Sequence, residues 1–264
     1  MQTTQQQTMS PLTASQPWTA TKRWLAFGYG ALSYAAFFGV FLYLIGFVGN
    51  LVVPKSLDSG PAYAFMPALL MNTFLIALFV IQHTIMARWQ FKQHWVKIIP
   101  RPIERSTFVL VTSVLLAVIF WQWRTMPGVV WEVENAIGRG VLQGLFWAGW
   151  LIVLTSTYLI NHFELFGLQQ VYRNLRGQKH TPPSFQTPLL YKLVRHPMMT
   201  GMIIAFWATP RMTVSHLVFA AGMTAYIFMG TYFEEKDLVH HVGDDYRKYQ
   251  EEVPNKFVSF RSNR

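Results

Sequence analysis

Cysteine is absent from this 264-residue chain. Disulfides, thiolate nucleophiles and cysteine-ligated metal sites are excluded with it. Charge is scarce as well. Asp, Glu, Lys and Arg make up 13% of the chain, where a soluble domain carries nearer to about 25%. Acidic residues are the rarer kind, 12 against 22 Lys and Arg. No internal repeat is present, which argues against a repeat array and against the duplicated halves of many transporters.

What the chain has instead is apolar residues, 52% of the total, gathered in blocks. Residues 24–48 run without a charge for 25 positions, enough to cross about 30 Å of hydrocarbon as a helix. Uncharged stretches follow at 66–82, 106–123 and 141–161. The last block, 198–233, holds a single charge, Arg211. It is too long for one span and reads as a hairpin of 198–209 and 214–233, turned by Pro210. The first arm is short for a full span, so the pattern predicts an all-α integral membrane protein with five to six transmembrane helices. Residues 1–20 are rich in Gln, Thr and Ser and read as a disordered tail. Residues 21–264 read as one membrane domain whose first block is a retained helix, since it is longer than a signal-peptide core.

The net charge of +10 raises nucleic acid as a partner, but its distribution points to a bilayer. Of the 22 Lys and Arg, 18 fall on one side of the predicted spans and only Lys55, Arg124, Arg139 and Arg211 on the other. The positive-inside rule then places both termini in the cytoplasm, in an inner or plasma membrane. No basic face is interleaved with base-stacking aromatics, so nucleic acid is not expected. The chain gives no reading of oligomeric state.

Chemistry concentrates at the ends of the last hairpin. Before it stand Tyr191, Arg195, His196 and Pro197, and after it Tyr232, Glu234 and Glu235. Pro197 suits the first turn of a helix, whose free N–H groups, with Arg195 and His196, offer a seat for a carboxylate. Two carboxylates at the other end of the hairpin oppose the positive-inside bias and need partners. The cationic corner and the Glu pair together suit a zwitterionic ligand. An Arg195–Glu235 ion pair that merely closes the hairpin is the structural alternative, and the two readings are compatible. His240, His241, Asp244 and Asp245 lack the spacing of a metal site, so no metal is expected. Polar ends of the second and fourth spans, Gln82, His83, Asn161, His162 and Glu164, fall at the same expected depth.

These residues resemble the superfamily of isoprenylcysteine carboxyl methyltransferases and NnrU-like membrane methyltransferases. Its pattern stands here as Arg195-His196-Pro197-Met198-Met199-Thr200-Gly201, then Glu234-Glu235-Lys236-Asp237-Leu238, then Gly243-Asp244-Asp245-Tyr246-Arg247-Lys248-Tyr249 with Val253-Pro254. Met199 departs from the Tyr usual at that place. Segments 159–168 and 205–217 resemble the subgroup that methylates methanethiol. The resemblance implies S-adenosylmethionine held on the cytoplasmic side within about 191–260, by Tyr191, Arg195, His196, Pro197, Gly201, Tyr232, Glu234 and Glu235. It implies in-line methyl transfer to a small thiol, giving dimethyl sulfide. A simple alkanethiol is less acidic than Cys, whose pKa is about 8.5, so a base is expected. His162 is the first nominee and Asp245 the second, with Tyr246 and Arg247 orienting the acid. A larger prenylated or lipid-like acceptor, and a non-enzymatic membrane helper, are the rival readings.

Overall fold

A computed structural model describes residues 18–179 and 185–257. The predicted tail falls almost wholly outside these residues, as do Pro182-Pro183 and residues 258–260 of the expected cofactor region. Helix α1 is Ala20–Gly49 and α2 is Phe65–Ala87. After the short α3 (Trp89–Trp95) come α4 (Arg101–Gln122) and α5 (Ala136–Leu159). Two short helices follow, α6 (His162–Leu165) and α7 (Leu168–Leu175). The hairpin is α8 (Pro197–Trp207) and α9 (Val214–Val242), followed by α10 (Asp244–Glu252).

The protein is an all-α integral membrane protein: α1, α2, α4, α5 and α9 are each long and apolar enough to cross a bilayer. Helix α8 has only 11 residues, about 16 Å at 1.5 Å per residue. It nevertheless carries the chain from the end where α5 finishes to the end where α4 finishes. There, strand β2 (Arg211–Thr213) pairs antiparallel with strand β1 (Val129–Glu132), Val129 opposite Thr213 and Glu132 opposite Arg211. The question of five or six passages thus resolves into five long helices and one half-length one. The small sheet was not expected from the sequence; two short segments of mixed character carry no periodicity to announce it.

The far end, around this sheet, is knitted by polar groups that satisfy one another. Buried Asn72 on α2 donates to the Arg124 carbonyl at 2.8 Å and accepts from its N–H at 2.9 Å. The Trp123 indole donates to Ser215 Oγ at 2.9 Å, and Ser215 donates to the Leu57 carbonyl at 2.8 Å. Lipid offers no competing partner, so such groups must be paired within the protein. Below them Phe47, Trp123, Phe206 and Phe219 are buried edge to face, with Phe206 and Phe219 centroids 5.4 Å apart.

Helices α5 and α8 approach closely at Gly149 and Gly201. A Cβ on Gly149 would lie 2.6 Å from the Gly201 carbonyl oxygen, and one on Gly201 would lie 2.6 Å from that of Gly149. In lipid, such close backbone contact is a main source of helix association. Gly201, expected in the cofactor site, holds the short helix against α5. Gly201→Ala should therefore destabilise by about 1–3 kcal/mol through overpacking, read as a lower thermal unfolding midpoint. Gly144→Ala on the same α5, with nothing within 4 Å of the new carbon, should leave the midpoint unchanged. Equal midpoints for both variants would refute the packing role.

Candidate functional site

Helix α9 has 29 residues, about 43 Å, while the hydrocarbon core is about 30 Å. Counted from Val214, that thickness is used up near Phe233. Glu234 and Glu235 follow at once, where water and polar groups become available. The chain before α8 turns at Arg195 and His196, and Pro197 opens the helix as the sequence predicts.

Arg195, His196 and Glu235 are all buried. Arg195 Nε donates to Glu235 Oε1 at 2.8 Å, and His196 Nε2 lies 3.1 Å from the same oxygen. Lys256 Nζ reaches Glu235 Oε2 at 2.7 Å. The chain after α10 completes this knot. Arg195 Nη1 donates to the Val253 and Pro254 carbonyls at 2.6 and 2.7 Å. The Arg195 and His196 backbone N–H groups donate to Asn255 and Lys256 carbonyls, both at 3.0 Å. The two corner N–H groups are therefore committed to the chain itself. The Arg195–Glu235 pair closes the hairpin, the structural alternative stated above.

Beside the knot lies a cavity of about 640 Å³. Its walls come from the end of α5, from α6, from residues 185–187, and from the corner, α8, α9 and α10. Arg195, His196, Tyr191, Glu234, Tyr246 and His162 line it, with Met198 and Met199 from the first turn of α8. Glu234 keeps half its side chain exposed and lies 3.6 Å from His196 Nδ1, so His196 sits between the two carboxylates. Tyr191 belongs to a short 3₁₀ turn whose carbonyl accepts from the Tyr249 hydroxyl at 2.6 Å. Burial first, then the Glu234 charge, raises the Tyr191 phenol above its ordinary value. Burial likewise raises Tyr246, and it raises Tyr249 to about 12. These hydroxyls stay protonated, and that of Tyr249 is a donor.

At the opposite wall, Asn161 caps the start of α6 in a left-handed conformation with φ 85°, which Asn tolerates better than most residues. Its carboxamide accepts from the Glu164 N–H at 3.2 Å, and this turn points His162 inward. The His162 ring stacks on Tyr158 with centroids 4.4 Å apart, and Phe163 and Phe166 meet it edge on. Its nitrogens lie 2.9 Å from the Tyr34 hydroxyl and 2.9 Å from Thr157 Oγ1. Burial lowers its pKa, favouring the neutral ring.

Several expected residues lie elsewhere. Tyr232 is half exposed beneath Lys236, whose Nζ is 4.4 Å from the ring, and does not line the cavity. Asp245 and Arg247 are on the exposed face of α10, Arg247 with Asp244 at 3.2 Å. The 3.6-residue period explains this: Tyr246 and Tyr249 take the buried face, and the charges between them must point out. His83 packs against Phe79, Phe108 and Tyr226, away from the cavity. No group of three or more His, Asp or Glu able to hold a metal occurs among the described residues. Tyr34, Thr157, Phe185 and Lys256 escaped the sequence reading; each is an isolated polar or aromatic residue that only the tertiary arrangement brings to the site.

The NnrU protein family profile matches residues 71–258. Methanethiol S-methyltransferase of Mycobacterium tuberculosis is 52% identical over 88% of this chain and 95% of its own length. The protein of that name from Pseudomonas deceptionensis is 54% identical over 89% of this chain and 90% of its own. Mouse Nurim is a more distant relative, 26% identical over 66% of this chain and 70% of its own. No solved structure matches. This chain belongs to the NnrU protein family.

Proposed function

We propose that this chain methylates methanethiol with S-adenosylmethionine, releasing dimethyl sulfide, at the cavity beside the Arg195–Glu235 knot. The observation that carries the reading is the 52% identity to a methanethiol S-methyltransferase across 88% of the chain. The cavity, about 640 Å³, has the size of a small-molecule site, roughly 300–1,000 Å³. The concentration of Lys and Arg on the cavity's side of the bundle supports a cytoplasmic orientation for it and for both termini.

The residues fit the methyl donor by its charges. Glu234, half open beside the cavity, suits the ammonium group. Met198 and Met199 are the first residues of α8 with an N–H, and such N–H groups have no partner inside their helix. With the positive end of the helix dipole they suit the carboxylate. Phe185, Tyr191 and Tyr246 offer flat faces for the base. S-adenosylmethionine, when bound, supplies an electrophilic methyl carbon on a positively charged sulfur. Tyr158 and Phe163, at the His162 wall, can support that charge by cation–π attraction of about 0.5–2 kcal/mol. Their second task is to exclude water, because charge is lost as thiolate and sulfonium meet and a dry site favours that loss. His162, kept neutral by burial, supplies proton-accepting capacity at this wall.

Headspace gas chromatography on detergent-purified protein should detect dimethyl sulfide when S-adenosylmethionine and methanethiol are both present. Cofactor binding without product would turn the reading toward bulkier acceptors, and absence of both would remove it. Glu234→Gln should weaken cofactor affinity by about tenfold, one lost charge-assisted contact of about 1.5 kcal/mol, at unchanged thermal midpoint. Glu235→Gln should instead lower the midpoint, because it strands Arg195 and Lys256 at a cost of about 3–5 kcal/mol. Calorimetric titration and thermal unfolding separate the two. For His162, the folded pKa lies below the unfolded value of about 6.5. The unfolded chain then binds more protons in that window, so stability falls as pH drops below about 6.5 until the folded pKa is reached. A His162→Gln variant should lose less of its thermal midpoint between pH 7.5 and pH 5.5 than the wild type; an equal loss would show that other groups set the slope.

A further inference from the structure

A groove of about 510 Å³ lies between the start of α1 and the start of α4. Trp18, Lys22, Leu25 and Tyr29 line one side of it, Pro100 and Ile103 the other, and none of these residues lines the cavity of the candidate site. Its depth follows from two helices counted independently. Hydrocarbon of about 30 Å takes about 20 helical residues. Counted back from Gly49 at the far end of α1, that length is used up near Gly30; counted back from Gln122 at the far end of α4, near Ile103. Tyr29 and Ile103 therefore floor the groove at the edge of the hydrocarbon. Leu25 and Lys22 stand about one and two turns further out, with Trp18 beyond them, at the level of lipid headgroups. The two ends of the groove differ in chemistry. The Tyr29 hydroxyl donates to Thr107 Oγ1 at 3.0 Å, and Thr107 donates to the Ile103 carbonyl at 2.8 Å. Both hydroxyl hydrogens at the floor are committed to the protein, so no donor there is left for a ligand. The outer end is cationic: Lys22 stands in the wall and Arg101 directly follows Pro100, both exposed. No ion pair holds either of them among the described residues. The positive end of the α4 dipole adds to them, and Glu104 in the same turn does not line the groove.

We propose that this groove holds an anionic glycerophospholipid of the surrounding bilayer, its phosphate at Lys22 and Arg101 and the upper part of an acyl chain over Leu25, Tyr29 and Ile103. The site is independent of the methyl transfer proposed above. Complementarity at both ends selects the ligand. A free phosphate would meet the cations and leave the apolar floor unfilled. A choline lipid would fill the floor and bring a third cation to a place that already carries two. An anionic lipid satisfies both ends, at the depth where its own phosphate and first methylenes lie. Lys22 suits the task, since its stem runs along apolar surface while the ammonium reaches outward to the headgroup. Trp18 and Tyr29 are the residue types that settle at a membrane interface. Deeper on α1, Leu32 is exposed and gives the rest of the chain a surface to follow. The bound lipid bridges α1 and α4 at their basic ends, where the Tyr29–Thr107 hydrogen bond is the side-chain tie between them.

The test is native mass spectrometry of the full chain in detergent, offered phosphatidylglycerol and phosphatidylcholine in equal amounts. The wild type should retain one phosphatidylglycerol in preference to phosphatidylcholine. Lys22→Gln with Arg101→Gln should weaken that retention by about fivefold for each charge removed, about 25-fold together. Lys192→Gln with Lys248→Gln removes the same charge from the same side at exposed positions outside the groove, and should retain the lipid as the wild type does. Leu25→Glu, also at an exposed position, sets a negative charge in the groove wall and should abolish the preference even if the double variant fails to fold. Glycerol 3-phosphate, the headgroup without its chains, should not displace the lipid; displacement would make the site one for free phosphate and overturn the proposal. Equal losses in the two double variants would reduce the effect to general surface charge and overturn it as well. So would retention that appears only after residues 1–17 are removed, which would make the chain's own N-terminal segment the occupant. None of these outcomes bears on dimethyl sulfide formation, so this site and the methyl transfer stand or fall separately.

Discussion

The buried pair of Arg195 and Glu235 is the constraint on which the site depends. Two charges removed from water are costly unless their remaining hydrogen-bonding capacity is filled. Here it is filled from two directions. His196 comes from the corner, and Lys256 with the Val253 and Pro254 carbonyls from the segment after α10. Satisfying one ion pair therefore fixes the start of α8, the end of α9 and the path of the C-terminal segment at once. The cavity walls inherit their positions from that knot. The half-length α8 brings the corner alongside the end of α9 while its other end joins the far sheet, and the glycine contact with α5 holds it there.

Much of this was legible in the sequence because the bilayer imposes long-period signals. Apolar blocks located all five long helices. The Arg-His-Pro and Glu-Glu motifs were found because a membrane makes unpaired polar groups expensive. What the sequence did not disclose was direction. Asp245 and Arg247 look as chemical as Tyr246, and only the α10 face that packs inward separates them. Tyr34 is one aromatic residue within an apolar helix, and its meaning arises from a contact 128 positions away. Gly201 sits inside a binding motif yet serves packing, since its place is set by Gly149 on another helix.

The methyl transfer proposed above sets opposite electrostatic needs at the two ends of the cavity. One would hold the charged donor, and it contains Glu234, His196 and the helix N-terminus, close to the depth where α9 leaves the hydrocarbon. The other would let charge disappear, and it is built from Tyr158 and Phe163, with His162 shielded by aromatic rings. A single polar pocket would serve binding and hinder reaction. An all-apolar pocket would exclude the amino-acid portion of the ligand. Placement at the boundary of hydrocarbon and water supplies both environments within one cavity.

The Glu-Glu dipeptide shows how adjacent identical residues come to differ. Successive side chains on an α-helix are about 100° apart, so Glu234 and Glu235 cannot share a direction. Glu235 points into the helix packing and is consumed by Arg195, His196 and Lys256. Glu234 points to the cavity and keeps half its surface open. With only the first carboxylate, the hairpin would be closed and the site would have no anion to offer. With only the second, Arg195 would be a buried cation held by carbonyls alone. His196, 3.1 Å from Glu235 and 3.6 Å from Glu234, ties the two carboxylates together: the buried pair orients the imidazole that faces Glu234.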